Sequence, residues 1–168
     1  NNNIEMVYQD LSLCNSLDVA GNLFLGREIH KNIFGLKFLD KNKMRSTSTK
    51  ILKDLSIKVP STKSKVENLS GGQRQSIAIG KAVSFDPKVL IMDEPTSALA
   101  VAEVKAVLEL IKTVRNKGVS VIFITHRLQD IFKVCDRVMV MYEGRKVADK
   151  LINETTLQDL VELIVTEH

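Results

Sequence analysis

Two adjacent carboxylates follow a short apolar run in the second half of the chain. The run Val89–Met92 predicts a buried strand, and Asp93 and Glu94 follow it, at the edge where ligands of open α/β sheets bind. One such acid can hold Mg²⁺, which prefers carboxylate and phosphate oxygens, and the other can orient or deprotonate a water molecule. The alternative is a pair that only ends a strand beside Pro95.

A second candidate site lies at the start of a predicted helix. Ser70 is an N-cap candidate, and Gln73 stands three residues later, as in a capping box. Gly71 and Gly72 between them carry no Cβ, so an anion can approach the backbone N–H groups at this helix end closely. The pattern predicts a phosphate-type anion site, and an ordinary flexible cap is the alternative.

Two single polar residues also follow predicted strands. His126 comes after the strand Val119–Ile124, where a neutral imidazole can donate to a phosphate or position a water molecule. Gln9 follows the strand Ile4–Tyr8, and its amide oxygen can ligate a metal ion or hold an attacking water. A single histidine or glutamine after a strand more often has a structural role. His126 and Gln9 are therefore candidate site residues only in combination with the Asp93–Glu94 pair and the helix start at Ser70.

The elements that must position these residues alternate between strand and helix. This alternation predicts an α/β fold with a largely parallel sheet and helices on its faces. Glu143 and Gly144 predict a tight hairpin between the last two strands. The further predicted elements are strands over Arg137–Tyr142 and Arg145–Ala148, and helices over Met44–Ile57, from Ser70, over Val101–Lys117, over Leu128–Val134 and from Thr155 with Gln158.

Composition narrows the class of protein. The 168 residues carry a net charge of only +4, but ten basic and two acidic residues lie between Lys31 and Lys65. Such a stretch could touch nucleic acid or an anionic membrane surface, yet Phe34 and Phe38 are its only aromatics, which favours a solvated, partly helical face. No apolar run is long enough to span a bilayer and no secretory signal opens the chain, so we expect a cytoplasmic location.

The order and spacing of the motifs resemble the nucleotide-binding subunit of an ABC transporter over essentially the whole chain. The segments YQDLSLCNSLDVAGNLFLGREI and SALAVAEVKAVLELI look like the ATPase subunits of ribose-, xylose- and fructose-type monosaccharide importers. The residues that carry the resemblance are Gln9 (Q-loop), Leu69, Ser70, Gly71, Gly72 and Gln73 (signature motif), Asp93 (Walker B), Glu94 (catalytic glutamate), Ser97, Ala98, Leu99 and Ala100 (D-loop) and His126 (H-loop).

The resemblance implies a P-loop NTPase-like fold with an added helical subdomain, and ATP and Mg²⁺ as cofactors. Asp93 and Gln9 would hold the metal, while Glu94, His126 and Gln9 would act in catalysis. The signature motif and D-loop would contact ATP sandwiched in a dimer, expected to be a homodimer. Further implied partners are transmembrane permease subunits and, indirectly, a periplasmic sugar-binding protein, with no nucleic acid. The subunit would be peripheral, on the cytoplasmic face of the membrane.

Two departures from the family pattern bear on activity. Ala100 replaces the usual aspartate of the D-loop, and the 168 residues contain no G-x-x-x-x-G-K-[ST] phosphate-binding loop. Charge-assisted hydrogen bonds to phosphate are worth about 1.5–3 kcal/mol each, against a total of about 8 kcal/mol for micromolar binding. We therefore expect this chain, which begins with Asn1, to lack the N-terminal P-loop strand of the family and to be inactive alone.

The same comparison predicts the organisation of the chain. One partial ABC ATPase domain would contain a strand and Q-loop at 1–10, a helical subdomain with the signature motif at about 11–85, and the Walker B, D-loop and H-loop part at 86–168. Because the family's P-loop strand lies beside the strand that leads to His126, a gap or an exposed edge is expected there.

Two other functions stay open. A soluble ABC ATPase of DNA repair would carry long coiled-coil or zinc-bearing insertions, but Gln9 and Ser70 are separated by a short segment without heptads or cysteine pairs. A non-catalytic fragment or degenerate subunit that acts only by protein interaction fits the missing P-loop and Ala100.

Overall fold

The computed structural model describes residues 3–165, which form two compact units that divide after Ile124. Asn1 therefore lies outside the described residues. The first unit contains β1 (Ile4–Val7), α1 (Val19–Leu23), β2 (His30–Ile33), β3 (Leu36–Leu39), α2 (Lys41–Asp54), α3 (Gly71–Val83), β4 (Val89–Asp93), α4 (Val101–Asn116) and β5 (Ser120–Ile124). The second contains α5 (Leu128–Val134), β6 (Arg137–Tyr142), β7 (Arg145–Leu151) and α6 (Leu157–Val165).

A three-stranded parallel sheet organises the first unit. Its order is β1-β4-β5, and Ile91 in the central strand pairs with Met6 on one side and Ile122 on the other. Leu90 and Met92 are fully buried, as the continuous apolar run of a central parallel strand requires. The predicted α/β class with a parallel sheet and flanking helices is confirmed.

The outer edge of β5 is open among the described residues. β5 pairs with β4 only, and Ile122 and Ile124 are about half exposed. The expected open edge beside the strand that leads to His126 is therefore present in residues 3–165.

A separate apolar cluster lies beneath the helices that follow β1. Asp18 caps α1 by accepting the Gly21 N–H at 2.7 Å, and the buried Asn22 donates to the Cys14 carbonyl and accepts the Cys14 N–H. These bonds fix the loop ahead of α1, so that its apolar face packs onto α2 and α3. The buried members of the cluster are Val19, Leu23, Phe24, Met44, Leu52, Val66, Leu69 and Ile77.

Helix α4 returns the chain from β4 to β5. Its buried face follows helical spacing, and the helix ends before Gly118, whose φ of +89° suits a residue without a Cβ. The predicted helix and its glycine stop are confirmed. The buried residues of this face are Val104, Val107, Leu108, Leu110, Ile111 and Val114.

The second unit is a hairpin packed against two helices. β6 and β7 are antiparallel, with Glu143 and Gly144 both at positive φ in the predicted tight turn. The core of this unit is formed by Ile131, Val138, Val140 and Leu160, against which Cys135 packs. Burial raises the pKa of the Cys135 thiol to about 11, as expected of a packing residue.

The structure differs from the sequence predictions in two places. Residues 30–39 form the exposed hairpin β2–β3, which the sequence pattern did not predict; together with α2 it makes up the expected solvated, partly helical face. The last helix is capped by Thr156, whose hydroxyl accepts the Asp159 N–H at 3.2 Å, and not by Thr155 with Gln158. The three-part division of one domain stays a prediction.

Candidate functional site

The carboxyl ends of β1 and β4 bring three of the predicted residues to one sheet edge. The two strands are parallel and Val7 pairs with Met92. Gln9, two residues after Val7, and Asp93 and Glu94, directly after Met92, therefore leave the sheet at the same edge. Gln9 is exposed in a bend, whereas Asp93 and Glu94 are partly buried.

Glu94 has an unusual backbone conformation. Its φ is +50°, in the left-handed region that costs a residue with a Cβ about 1–3 kcal/mol. Three hydrogen bonds hold it there: its N–H donates to the Ile124 carbonyl at 2.9 Å, and its carbonyl accepts the Ser97 N–H at 3.2 Å and the Ser97 hydroxyl at 3.0 Å. The fold maintains strain at the predicted catalytic position.

The segment from Ser97 to Ala100 links this edge to α4. Thr96 is fully buried, and its carbonyl accepts the Leu99 N–H at 3.4 Å, which closes a turn. Ala100 occupies the N-cap position of α4 but has no side-chain acceptor for the N–H groups of the first turn. Glu103 partly compensates, because its Oε2 accepts the Ala100 N–H at 3.2 Å.

The predicted anion site is the capped start of α3. The Ser70 Oγ accepts the Gln73 N–H at 3.3 Å, and the Gln73 Oε1 accepts the Ser70 N–H at 3.0 Å, so the predicted capping box is complete. Leu69 is buried, and its carbonyl accepts a bond from the Arg74 guanidinium at 3.2 Å. These hydrogen bonds fix the conformation of the signature segment.

Glu103 also reaches this helix start, a contact that sequence reasoning missed. Its Oε1 accepts the Gly72 N–H at 3.0 Å. A Cβ on Gly72 would lie 2.7 Å from the Cβ of Glu103, so the close approach of α3 and α4 requires glycine. The hydrogen bond from the Ser70 hydroxyl, with those from Gly72 and Ala100, lowers the pKa of the Glu103 carboxyl.

This contact changes the interpretation of the anion site. The N–H groups of Gly72 and Gln73 are already engaged, by Glu103 and Ser70, so the helix start holds a carboxylate of the same chain. The signal in the sequence was the glutamate three residues after Ala100, the N3 position of a capping box.

His126 belongs to the second unit. It is exposed and lies two residues before α5, next to Thr125, whose hydroxyl accepts the Arg127 N–H at 3.0 Å. By chain position it follows β5 by two residues.

The donor atoms at the sheet edge fit a magnesium ion by their chemistry. Asp93 and Glu94 supply carboxylate oxygens and Gln9 an amide oxygen, the ligand types that Mg²⁺ takes alongside water and phosphate. Residues 3–165 hold no group of three or more His, Cys, Asp and Glu side chains that could form an all-protein metal cage.

Comparison with known proteins identifies related sequences. Residues 1–97 match the family described as ABC transporter. The chain is 42% identical over 163 residues to the xylose/arabinose import ATP-binding protein XylG of Sulfolobus acidocaldarius, covering 97% of this chain and 63% of that protein. It is 42% identical over 162 residues to the fructose import ATP-binding protein FrcA of Rhizobium meliloti, covering 94% of this chain and 62% of that protein. The chain thus spans less than two thirds of these relatives.

Solved structures share the fold. A protein described as a metal-chelate type ABC transporter in an inward-facing conformation superposes with a TM-score of 0.77 at 26% identity, covering 96% of this chain and 64% of that one. A dimeric ATP-binding cassette in a post-hydrolysis state with ADP and phosphate gives a TM-score of 0.69 at 23% identity, covering 89% and 62%. Both superpositions show a shared fold.

Proposed function

The chain belongs to the ABC transporter family, and from that premise we propose that it forms part of the ATP-hydrolysing subunit of a monosaccharide importer. The observation that carries the proposal is the convergence of Gln9, Asp93 and Glu94 at the carboxyl edge of two parallel strands, with Glu94 held at positive φ. The names of the curated relatives, which include xylose/arabinose, fructose and ribose import proteins, support a sugar as the cargo.

Asp93 and Gln9 would hold Mg²⁺ at this edge. The bound ion would neutralise charge on the phosphate oxygens of ATP. Asp93 is partly buried at the end of a central strand, so its carboxylate is well placed to act as a fixed ligand. Gln9 is exposed in a bend and can follow a moving ligand, which suits a residue that reports the state of the site.

Glu94 would accept a proton or a hydrogen bond from the attacking water. Its strained backbone is fixed by Ile124 and Ser97, so its direction is set before substrate arrives. His126 would donate to the γ-phosphate.

The signature motif would act across a dimer. Leu69 to Gln73 and Ser97 to Ala100 lie together in one chain, because Gly71 approaches Leu99 and Gly72 approaches Glu103. In a homodimer this surface would face the nucleotide held by the second copy. Transmembrane permease subunits would pair with the dimer on the cytoplasmic face, and a periplasmic sugar-binding protein would deliver the cargo. No helix within residues 3–165 has both the length and the apolar character needed to cross a bilayer.

A non-catalytic interaction protein is the second candidate, favoured by two features of the sequence. The 168 residues contain no G-x-x-x-x-G-K-[ST], and Ala100 replaces the acid of the D-loop. On our proposal the first feature makes the isolated chain inactive, and a phosphate-binding loop supplied ahead of residue 1 restores binding.

Calorimetry with ATP separates the two candidates. The 168-residue chain is compared with a chimera in which a strand and loop containing G-x-x-x-x-G-K-[ST] precede residue 1. We expect micromolar binding only for the chimera. In the chimera, Asp93→Asn should weaken binding in Mg²⁺ by about tenfold or more and leave binding in EDTA unchanged.

Glu154→Gln is the matched control, because Glu154 is exposed in the second unit and has no proposed role. It should bind like the parent chimera. Absence of ATP binding by a folded chimera would favour the non-catalytic candidate, and micromolar binding by the 168-residue chain would contradict our account of the phosphate-binding loop.

A further inference from the structure

The hairpin β2–β3 stands out from the rest of the first unit because none of its residues is buried. All ten residues from His30 to Leu39 are exposed, although five of them are large and apolar. The base is anchored: Ile29 packs against the helical core cluster and its carbonyl accepts the Asp40 N–H at 2.7 Å. The hairpin is therefore an anchored element whose apolar side chains remain 39–102% exposed within the described chain.

The strand register separates the side chains onto two faces. Ile33 pairs with Leu36, and Lys31 with Phe38, so three apolar side chains and one lysine share one face. The opposite face carries the pairs Asn32–Lys37 and His30–Leu39 and is mostly polar. The hairpin is amphipathic, with its apolar face open to solvent.

The tip of the hairpin carries an aromatic residue at a conformational cost. Phe34 and Gly35 have φ values of +50° and +82°, the pattern of a tight turn that favours Asn-Gly or Asp-Gly. A phenylalanine is strained there, and its ring is fully exposed. The β6–β7 turn adopts the same φ pattern with the polar Glu143 in that place. The conformation of the turn therefore gives no reason for an aromatic residue at position 34.

Positive charge surrounds this apolar projection. Between His30 and Lys43 the chain has four lysines and a single acid, Asp40, whose carboxylate is engaged in capping α2 through the Lys43 N–H at 3.0 Å. All four lysines are exposed, and none of them forms an ion pair within the described part of the chain. They are Lys31, Lys37, Lys41 and Lys43.

We propose that the hairpin β2–β3 docks on an anionic lipid surface, with Phe34, Ile33 and Leu36 inserted among the headgroups and the surrounding lysines on the lipid charges. Each strand reaches about 13 Å, which is sufficient for apolar side chains to enter the 5–10 Å interfacial layer. This docking does not depend on ATP hydrolysis, so it can fail or hold independently of the proposed function.

A lipid surface fits these features better than the other possible occupants. A second copy of the chain would bring the same four lysines face to face, which opposes association. An acidic protein would need a cavity for a fully exposed aromatic ring at the end of a projection, whereas a bilayer accepts such a tip without a preformed pocket.

Vesicle co-sedimentation of the 168-residue chain tests the proposal. We expect binding to phosphatidylcholine vesicles that contain phosphatidylserine, weakened by salt, and little binding to phosphatidylcholine alone. Phe34→Asn should reduce the partition constant about tenfold, because a buried aromatic side chain is lost. It should also raise the thermal midpoint, since Asn accepts the left-handed conformation more readily. Lys31→Glu should reduce binding about fivefold or more.

Two matched controls distinguish the hairpin from the rest of the surface. Val165→Asn removes an exposed apolar residue at the end of α6, and Lys88→Glu removes an exposed lysine ahead of β4. Both should bind vesicles like the parent chain. The proposal is overturned if the controls lose as much as the hairpin variants, or if binding ignores phosphatidylserine. It is also overturned if Phe34→Asn leaves vesicle binding unchanged and abolishes self-association or binding to an acidic protein instead.

Discussion

The starts of α3 and α4 lie side by side, yet they are capped in different ways. α3 is capped from within its own first turn, by Ser70 and Gln73. α4 begins at Ala100, which offers no side-chain acceptor, and depends on Glu103 for one bond to its N-cap. The same Glu103 carboxylate accepts the Gly72 N–H, so one side chain serves both helices.

This difference shows how the signature motif and the D-loop are joined in one chain. A D-loop acid would occupy the position of Ala100, whereas here the nearest carboxylate comes from one helical turn later and is shared with α3. Substitutions at the self-capped start of α3 and at the start of α4, which depends on Glu103, should therefore differ in their effects on stability.

Replacing Gly72 with alanine should have the largest effect. The new Cβ would lie 2.7 Å from the Cβ of Glu103, so α3 and α4 must move apart. We expect the free energy of unfolding to fall by about 1–3 kcal/mol in urea titrations. Gly71→Ala is the control, because its Cβ would meet the Leu99 Cδ2 at 3.3 Å and the Glu103 Oε2 at 3.8 Å, both at the ends of side chains. Equal losses would mean that the close approach at Gly72 is unimportant.

Removing the self-cap should have the next largest effect. Ser70→Ala deletes the acceptor for the Gln73 N–H and the hydroxyl that donates to Glu103. We expect a loss of about 1 kcal/mol in the free energy of unfolding. Ser46→Ala removes an exposed hydroxyl bonded only to the Lys43 carbonyl and should change stability by less than about 0.5 kcal/mol. A harmless Ser70→Ala would argue against a self-capped α3.

Adding a cap to α4 should raise the free energy of unfolding, by less than the losses expected at α3. Ala100→Ser supplies the missing acceptor, and we expect thermal unfolding to show a gain of less than about 1 kcal/mol, because Glu103 already holds the N-cap N–H. Ala102→Ser, at an exposed position inside the same helix, should give no gain. If Ala100→Ser is less stable than the parent chain, α4 does not lack a useful side-chain acceptor at its N-cap.

Acid should weaken the shared contact. The folded-state pKa of Glu103 is lowered by its bonds from Ser70, Gly72 and Ala100, so its contribution to stability is present above the unfolded value of 4.5 and is lost as pH falls below it. The difference in urea midpoint between the parent chain and Glu103→Gln should therefore shrink between neutral pH and strongly acid pH. If the difference grows on acidification, the conclusion that folding lowers the pKa of Glu103 is wrong.

Much of the fold could be predicted because local signals agreed with tertiary packing. The strand at Val89, the capping box at Ser70 and the Glu143–Gly144 turn each combine an apolar pattern with a terminal signal, and all three are confirmed. The hairpin β2–β3 was missed because its turn, Phe34–Gly35, lacks the Asn or Asp that usually marks such a turn.

The candidate site could be predicted only in part. The motifs placed Gln9, Asp93 and Glu94 at strand ends, and parallel pairing then brings them to one edge. The role of Glu103 depends on two helices that lie close together in space, and the positive φ of Glu94 depends on bonds from β5 and Ser97. Contacts of this kind between distant segments leave no local pattern.

Steady-state ATP hydrolysis by the chimera that carries a phosphate-binding loop tests the central claim most directly. We expect Mg²⁺-dependent hydrolysis, a fall of about 100-fold or more for Glu94→Gln, and an unchanged rate for Glu154→Gln. Hydrolysis by Glu94→Gln at the rate of the parent chimera would contradict the role of Glu94 and the account of the site built around it.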